Sequence, residues 1–341
     1  MNSRELVIKT LEFENVGYRA PRNLWCLPWA ATRYPDQLAN IRKDFPDDFT
    51  HAPGILEAES PCLRGEKFRT DSYVDDWGCE FQSICPGMSG EVKTPIIASD
   101  DLEWNDLSRV HFPVEWLAFD RQVVRDFYTE TDRFVITPVC PRPFERLQFL
   151  RGTEMLYMDL MDPPQNMLRF MERMHAFYCE LLEEWCRAPV DAIQFMDDWG
   201  AQKSLLINPS LWQRYFAPMY REYIAIAHRH GKKAFMHSDG NIEAIYPYLT
   251  EMGLDALNSQ LFCMNLDTLS AYRGKITFWG EIDRQHLLPD GSAVDIESAV
   301  ESVYRHLWRQ GGCVAQCEFG PGARPENVYE VFKTWDRLTT A

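Results

Sequence analysis

The chain has no run of eighteen apolar residues, no Cys-x-x-Cys pair, no Gly-x-Gly-x-x-Gly, no P-loop and no basic cluster in its 341 positions. The first absence argues against a membrane-spanning helix. The second excludes a zinc ribbon and a thioredoxin-type redox motif, although ten cysteines are scattered along the sequence. The missing glycine-rich signatures count against a nucleotide-binding, doubly wound sheet. With 35 Lys and Arg against 51 Asp and Glu, the net charge is −16. Phosphate neutralisation needs stripes of cationic side chains, so neither nucleic acid nor an anionic membrane is an expected partner. The opening stretch MNSRELVIKTLEFENVGYRA carries charges throughout and no apolar h-region. A signal peptide is therefore not expected, and the cytoplasm is the expected compartment. In a reducing compartment most of the cysteines should be small buried hydrophobes.

What is present is ordinary globular material, 45% apolar and 25% charged. Short apolar runs rich in β-formers alternate with amphipathic helices through the second half. The expected strands are FVITPV (134–139), DAIQFMDD (191–198), KAFMHSD (233–239), LDALNSQ (254–260), KITFWGEID (275–283) and GCVAQCEF (312–319). Between them, Met167, Phe170, Met171, Met174, Phe177, Tyr178 and Leu181 share one helix face. Leu211, Tyr215, Met219, Tyr220 and Tyr223 define a second, and Ile296, Val300, Val303 and Leu307 a third. Strands alternating with helices imply parallel pairing through right-handed crossovers. A closed (β/α)8 barrel, the TIM-barrel architecture, fits better than an open sheet. Asn23–Pro28 supplies an early strand. Residues 45–100, rich in Pro, Gly, Asp and Glu, read as an excursion with short strands (VDDWGCEF, EVKTPII) that covers the barrel mouth within a single domain.

Candidate chemistry gathers at the expected strand ends, where barrel enzymes keep their active residues. In KAFMHSDG, strand period two places His237 and Asp239 on one face. An imidazole and a carboxylate converging there suit a metal site or a base with its orienting group; the plain alternative is a solvated turn with Asp239 as a helix cap. Cys317 ends the last strand and would stand level with His237, a thiolate beside an imidazole; Cys313, deeper, reads as packing. Asp197 and Asp198 end another strand as candidates for acid/base or substrate-binding work, or else as caps. Asn258, Gln260 and Glu281 end two more strands and could add oxygen donors to metal or substrate. Trp25, Trp29, Trp77, Trp199 and Trp279 could line an apolar pocket, or simply fill the core.

At these residues a likeness becomes specific. FMDDWG, the helix NPSLWQRYFAPMYREYIAIAHRHGKKAFMHSDGN and the terminal GPGARPENV resemble the uroporphyrinogen decarboxylase superfamily across about residues 190–340. DDWGCEFQ and GEVKTPIIASDDLEW resemble the N-terminal part of its corrinoid-linked members. The resemblance implies a (β/α)8 barrel, and in one branch zinc-dependent methyl transfer with a corrinoid (cobalamin) protein as partner. True decarboxylases of the superfamily carry an RQAGRY segment that holds porphyrinogen carboxylates. Here LWCLPWAATRY keeps Arg33 but offers Leu27 and Pro28 where the first arginine is wanted, so an anionic tetrapyrrole would be poorly held. The thiol-methylating branch uses His-x-Cys and a later Cys as zinc ligands, which matches His237, Asp239 and Cys317. Asp239 in place of a thiolate implies a harder, more Lewis-acidic ion suited to an ether or alcohol oxygen.

The resulting expectation is a zinc methyltransferase that moves a methyl group from a small methylated substrate, such as a methoxylated aromatic, to a corrinoid protein (O-demethylation). In it, Asp197 or Asp198 acts catalytically. Trp25, Trp199, Asn258 and Gln260 bind substrate, and His237, Asp239, Cys317 and Glu281 bind metal. The alternatives are transfer from corrinoid to a thiol, a metal-free lyase using Asp197 and Asp198, and a non-catalytic barrel.

Overall fold

A computed structural model describes residues 1–340 apart from 70, 84, 98–102 and 106. The apolar runs become eight parallel barrel strands: β1 (Arg22–Cys26), β2 (Phe49–His51), β3 (Phe134–Ile136), β4 (Ala192–Met196), β5 (Lys233–Ser238), β6 (Ala256–Ser259), β7 (Thr277–Phe278) and β8 (Ala315–Phe319). Strands β2 to β7 pair in sequence order, and β1 pairs with β8. A parallel bridge between Phe278 and Cys313 joins β7 to the start of β8. The Asp48 N–H donates to the Arg22 carbonyl at 2.9 Å and joins β1 to β2. The ring is a closed (β/α)8 barrel.

Alternation along the strands separates two cores. The inner one gathers Phe49, Phe134, Ile136, Ala192, Phe235, Ala256, Trp279 and Val314, with Val7 and Leu11 of the helix Ser3–Leu11. That helix plugs the N-terminal end, where its Thr10 carbonyl accepts from Gly312 N–H at 2.8 Å. Phe134 stacks on Phe235 (centroids 5.5 Å), which meets Trp279 edge-on at 5.1 Å. Each such ring contributes roughly 1.5–3 kcal/mol by burial, so the barrel interior is a solid floor rather than a channel. The outer core lies between strands and helices. It includes all seven residues of the expected face on 167–181, which fall in the helix Gln165–Cys186 and are buried.

Several boundaries differ from the sequence expectation. Strand β7 is two residues long instead of nine, because the chain turns at Gly280. The second amphipathic run is two helices, Pro209–Tyr215 and Ala217–Arg229. β2 lies in the stretch read as an excursion, and three residues were too few to show a period. Beyond β2, Ser72–Val74, Glu80–Gln82 and Glu91–Val92 form a small antiparallel sheet. A cavity of roughly 680 Å³ lies between this sheet (Tyr73, Phe81) and the C-terminal ends of β3 and β4 (Pro138, Met196, Asp198).

Candidate metal centre

Strand parity turns Phe235 into the floor and His237, two residues on, into the mouth above it. There the imidazole packs against Trp25 at 5.1 Å between centroids, and Trp25 meets Trp279 edge-on at 5.4 Å. His237 Nδ1 lies 2.6 Å from Asn258 Oδ1. The other end of that amide donates from Nδ2 to the Trp279 carbonyl. Asn258 must therefore accept from the ring, which puts the hydrogen on Nδ1 and leaves Nε2 for chemistry.

Nε2 faces two carboxylates, with Asp198 Oδ1 at 3.4 Å and Asp239 Oδ1 at 3.7 Å. Asp198, Asp239 and His237 each offer one ligand atom, all within 4.8 Å of one another. Two turns hold them. The Asp239 N–H donates to Asp198 Oδ1 at 3.0 Å, and Gly200 N–H to the Asp239 carbonyl at 3.0 Å. Gly200 and Gly240 lie so close that a Cβ on Gly240, where φ is +75°, would stand 2.1 Å from the Gly200 carbonyl oxygen. Only glycine permits that approach. Arg284 pairs with Asp239 Oδ2 and reaches Glu318 at 3.3 Å and Glu281 at 3.6 Å.

The charges are strongly coupled. Burial pulls the His237 ring down, but the hydrogen bond and charge of Asp198, with the charge of Asp239, outweigh it and raise the ring to about 9. Burial raises Asp198, yet its hydrogen bond and ion pair with His237 hold it below its usual value. Glu281 is pushed up to about 8, first by burial and then, against Arg284, by the charges of Asp239 and Glu318.

The donor set fits a divalent cation. Asp239 Oδ1 and both oxygens of Glu281 are buried without hydrogen-bond partners. Leaving such oxygens unmatched is costly, and a cation beside Nε2 would answer at least the first. Two carboxylates and one imidazole form a hard to borderline site, compatible with zinc and without thiolate character. Asn258 would act as the partner that orients the ring. Asn258→Ala is expected to weaken metal binding about 10- to 100-fold, read by competition with a chelating dye; unchanged affinity would show that the ring is held by other means.

The structure corrects one expected ligand. Cys317 lies on the other face of β8, with Ala315 and Phe319 in the outer core that also holds Val328 and Phe332 of the helix Pro325–Thr339. Burial, followed by the charge of Glu281, pushes its thiol well above its usual value in the metal-free chain. Glu318, next in sequence, has the inward parity and reaches Arg284 instead.

Two more expected residues sit where their side chains are already engaged. Asp197 is fully buried and accepts from Phe144 N–H at 3.0 Å, Glu145 N–H at 2.7 Å and Tyr220 OH at 2.5 Å. Trp199, also fully buried, stacks on Phe144 at 4.0 Å and donates Nε1–H to Tyr220 OH at 2.8 Å, within the outer core. Gln260 accepts from Gly240 N–H at 2.9 Å and borders a small pocket with Glu281 and Arg284. Sequence reasoning did not single out Arg284, Glu318, Arg142 or Glu145. For Glu318 the signal was strand parity, and for Arg284 its place three residues after Glu281.

Residues 88–338, well over half the chain, match the family described as uroporphyrinogen decarboxylase (URO-D). No curated protein sequence matches the chain. Among solved structures, a methyltransferase from Methanosarcina mazei is similar over 99% of both chains, with TM-score 0.69 and 13% identity. A glycosylated endo-β-1,4-xylanase of glycoside hydrolase family 10 from Gloeophyllum trabeum covers 98% of this chain and 99% of its own, at TM-score 0.45 and 10% identity. Likeness at such identities concerns the fold. The family rests on the sequence match to residues 88–338, and by that match the chain belongs to the uroporphyrinogen decarboxylase family.

Proposed function

We propose that the protein is a metal-dependent methyltransferase that moves a methyl group from a small methylated substrate, such as a methoxylated aromatic, to a corrinoid protein. The observation that carries this reading is the His237–Asp198–Asp239 cluster, with an unpartnered buried oxygen, beside a cavity of roughly 680 Å³ that Asp198 also lines. A non-catalytic barrel would be expected to satisfy its rim groups among themselves. The family membership and the fold shared with a methyltransferase add support for the reaction class.

When bound, a divalent cation such as zinc supplies Lewis acidity to the heteroatom that gives up the methyl group. The chain's own residues do the rest. His237, turned by Asn258, presents Nε2. Asp198 and Asp239 present oxygens from two braced turns. Arg284 holds the far oxygen of Asp239, so the near one stays directed at the site. The Glu281 carboxyl, which burial and then, against Arg284, the charges of Asp239 and Glu318 push up to about 8 in the metal-free chain, is the candidate donor of the proton that the departing oxygen takes up. A reduced corrinoid on the partner would accept the methyl group as the carbon–oxygen bond of the donor breaks. The electron pair of the broken bond stays on the donor oxygen, which takes up one proton.

The test is methyl transfer to a reduced corrinoid protein, followed in the visible spectrum with ethers, alcohols and amines as donors. Formation of the methylated corrinoid only with metal-loaded protein is expected; silence across all three donor classes sinks the reading.

The proton on His237 adds a pH dependence. A ring raised to about 9 must lose that proton before Nε2 can bind metal. Apparent metal affinity should therefore fall about tenfold per pH unit as pH drops below that value. In the metal-free protein the sign reverses. The charged ring stabilises the fold below the unfolded value near 6.5, and that contribution is lost as pH rises through about 9. Metal titrations and melting curves between pH 6 and about 9.5 read both slopes.

A further inference from the structure

The cavity beside the metal cluster contains a cation that its surroundings do not occupy. Arg142 stands between β3 and the helix Pro143–Arg151 and lines the cavity with Asp198. Its nearest counter-charge is Glu145 Oε2 at 3.8 Å, beyond hydrogen-bonding distance. No hydrogen bond links its guanidinium to the described residues, and Glu145 Oε2 is itself buried without a hydrogen-bond partner. The neighbouring Arg146 shows what an engaged guanidinium looks like here. It donates to Asp75 at 2.6 Å and lies over the rings of Trp77 and Phe149. Lys67 also lines the cavity, its ammonium disfavoured by burial and then by the charge of Arg142. Tyr73, Phe81, Trp116 and Phe149 add aromatic wall to the same cavity.

A guanidinium presents five N–H donors in a planar fork that matches a carboxylate. Asp75, Asp76, Glu145 and Asp198 share the lining, and the charge of Glu145 helps to keep the Arg142 guanidinium charged against burial. None of them fills its N–H donors, which stay open to an entering carboxylate. We propose that Arg142, supported by Lys67, is the specificity residue of this cavity, and that it anchors the carboxylate of a flat, aromatic methylated substrate. The ring then lies along the aromatic wall, and the methyl-bearing atom, at the other end of the molecule, points to Asp198 and His237. This inference rests on the methyltransferase reading for the methyl group, but binding of the carboxylate does not require transfer.

Calorimetric titration of metal-loaded protein tests it with 4-methoxybenzoate, the neutral 4-methoxybenzamide and inorganic phosphate. The acid is expected to bind about 10- to 100-fold more tightly than the amide, the usual worth of a charge-assisted pair. Arg142→Gln should erase that preference by weakening the acid alone. Amide binding and metal content unchanged in this variant would show that it is folded. If Arg142→Gln does not fold, Arg142→Lys, which keeps the charge and loses the fork, should give the same loss in smaller degree. Equal binding of acid and amide, a preference that survives both substitutions, or no binding of either aromatic overturns the proposal. So does phosphate binding as tightly as the acid, since that describes a general anion site. An acid that binds through Arg142 yet never donates its methyl group overturns the methyltransferase reading instead and leaves the anchor standing.

Discussion

Replacing His237 with alanine is expected to abolish tight binding of a divalent cation, whereas replacing Cys317 with serine leaves it unchanged. The contrast follows from strand parity. His237 is the one nitrogen donor of the cluster, and Asn258 and Trp25 already fix its ring. Its removal should lower affinity by more than the roughly 10- to 100-fold typical of losing an orienting partner. Methyl transfer should fall with it. Asp198→Asn and Asp239→Asn each keep shape but lose charge and should give intermediate losses. Cys317 packs among Ala315, Phe319 and the outer helices, so its serine variant should cost stability rather than metal. Metal analysis of the four purified variants, paired with melting curves, reads both effects. Lost metal in Cys317→Ser with an intact fold would restore the thiolate to the site.

Asp197→Ala should behave in the opposite way and fail through folding. The carboxylate is fully buried at the N-terminus of the helix Pro143–Arg151, where it satisfies two helix N–H groups and the Tyr220 hydroxyl. Removing it orphans three donors, and each buried orphan costs about 1–3 kcal/mol. A net loss on the order of 4 kcal/mol is a large fraction of a typical stability. The favourable interaction of a carboxylate with a helix N-terminus is lost as well. Urea unfolding should therefore show a greatly lowered midpoint for Asp197→Ala. Asp198→Asn, one residue away, should lower metal content far more than it moves that midpoint. A stable but inactive Asp197→Ala protein would make Asp197 part of the chemistry after all. Asp197 also braces the turn that carries Arg142 and Glu145, so its variant is a poor probe of the cavity and a good probe of the scaffold.

The two aspartates show how far a sequence can be read here. The barrel was legible because its strands and helices alternate through the second half, and because His237 and Asp239 stand where an apolar run gives way to a glycine turn. The cluster's third member, Asp198, was legible only as one of a pair. Nothing in FMDDWG says which carboxylate caps a helix fifty residues earlier and which looks into the mouth. That choice is made by Phe144, Glu145 and Tyr220. Cys317 failed for a different reason. The AQCEF pattern of β8 puts Gln316 and Glu318 on one face and Ala315, Cys317 and Phe319 on the other, and the expectation weighed the place of Cys317 at the strand end without this parity. Both faces are hidden, Ala315 at 0% and Gln316 at 1% exposure, so residue type and not burial marks the inward face, through Gln316 and Glu318. β2 was missed because three residues cannot display a period. Arg142 left no local signal, since its significance lies in what fails to touch it.

The most direct test of the account is X-ray absorption spectroscopy at the metal edge of zinc-loaded protein. A first shell of nitrogen and oxygen alone, at about 2.0–2.2 Å and including one imidazole, is the result the His237–Asp198–Asp239 site predicts. A sulfur scatterer at about 2.3 Å would contradict it, because no cysteine belongs to the cluster found among the described residues.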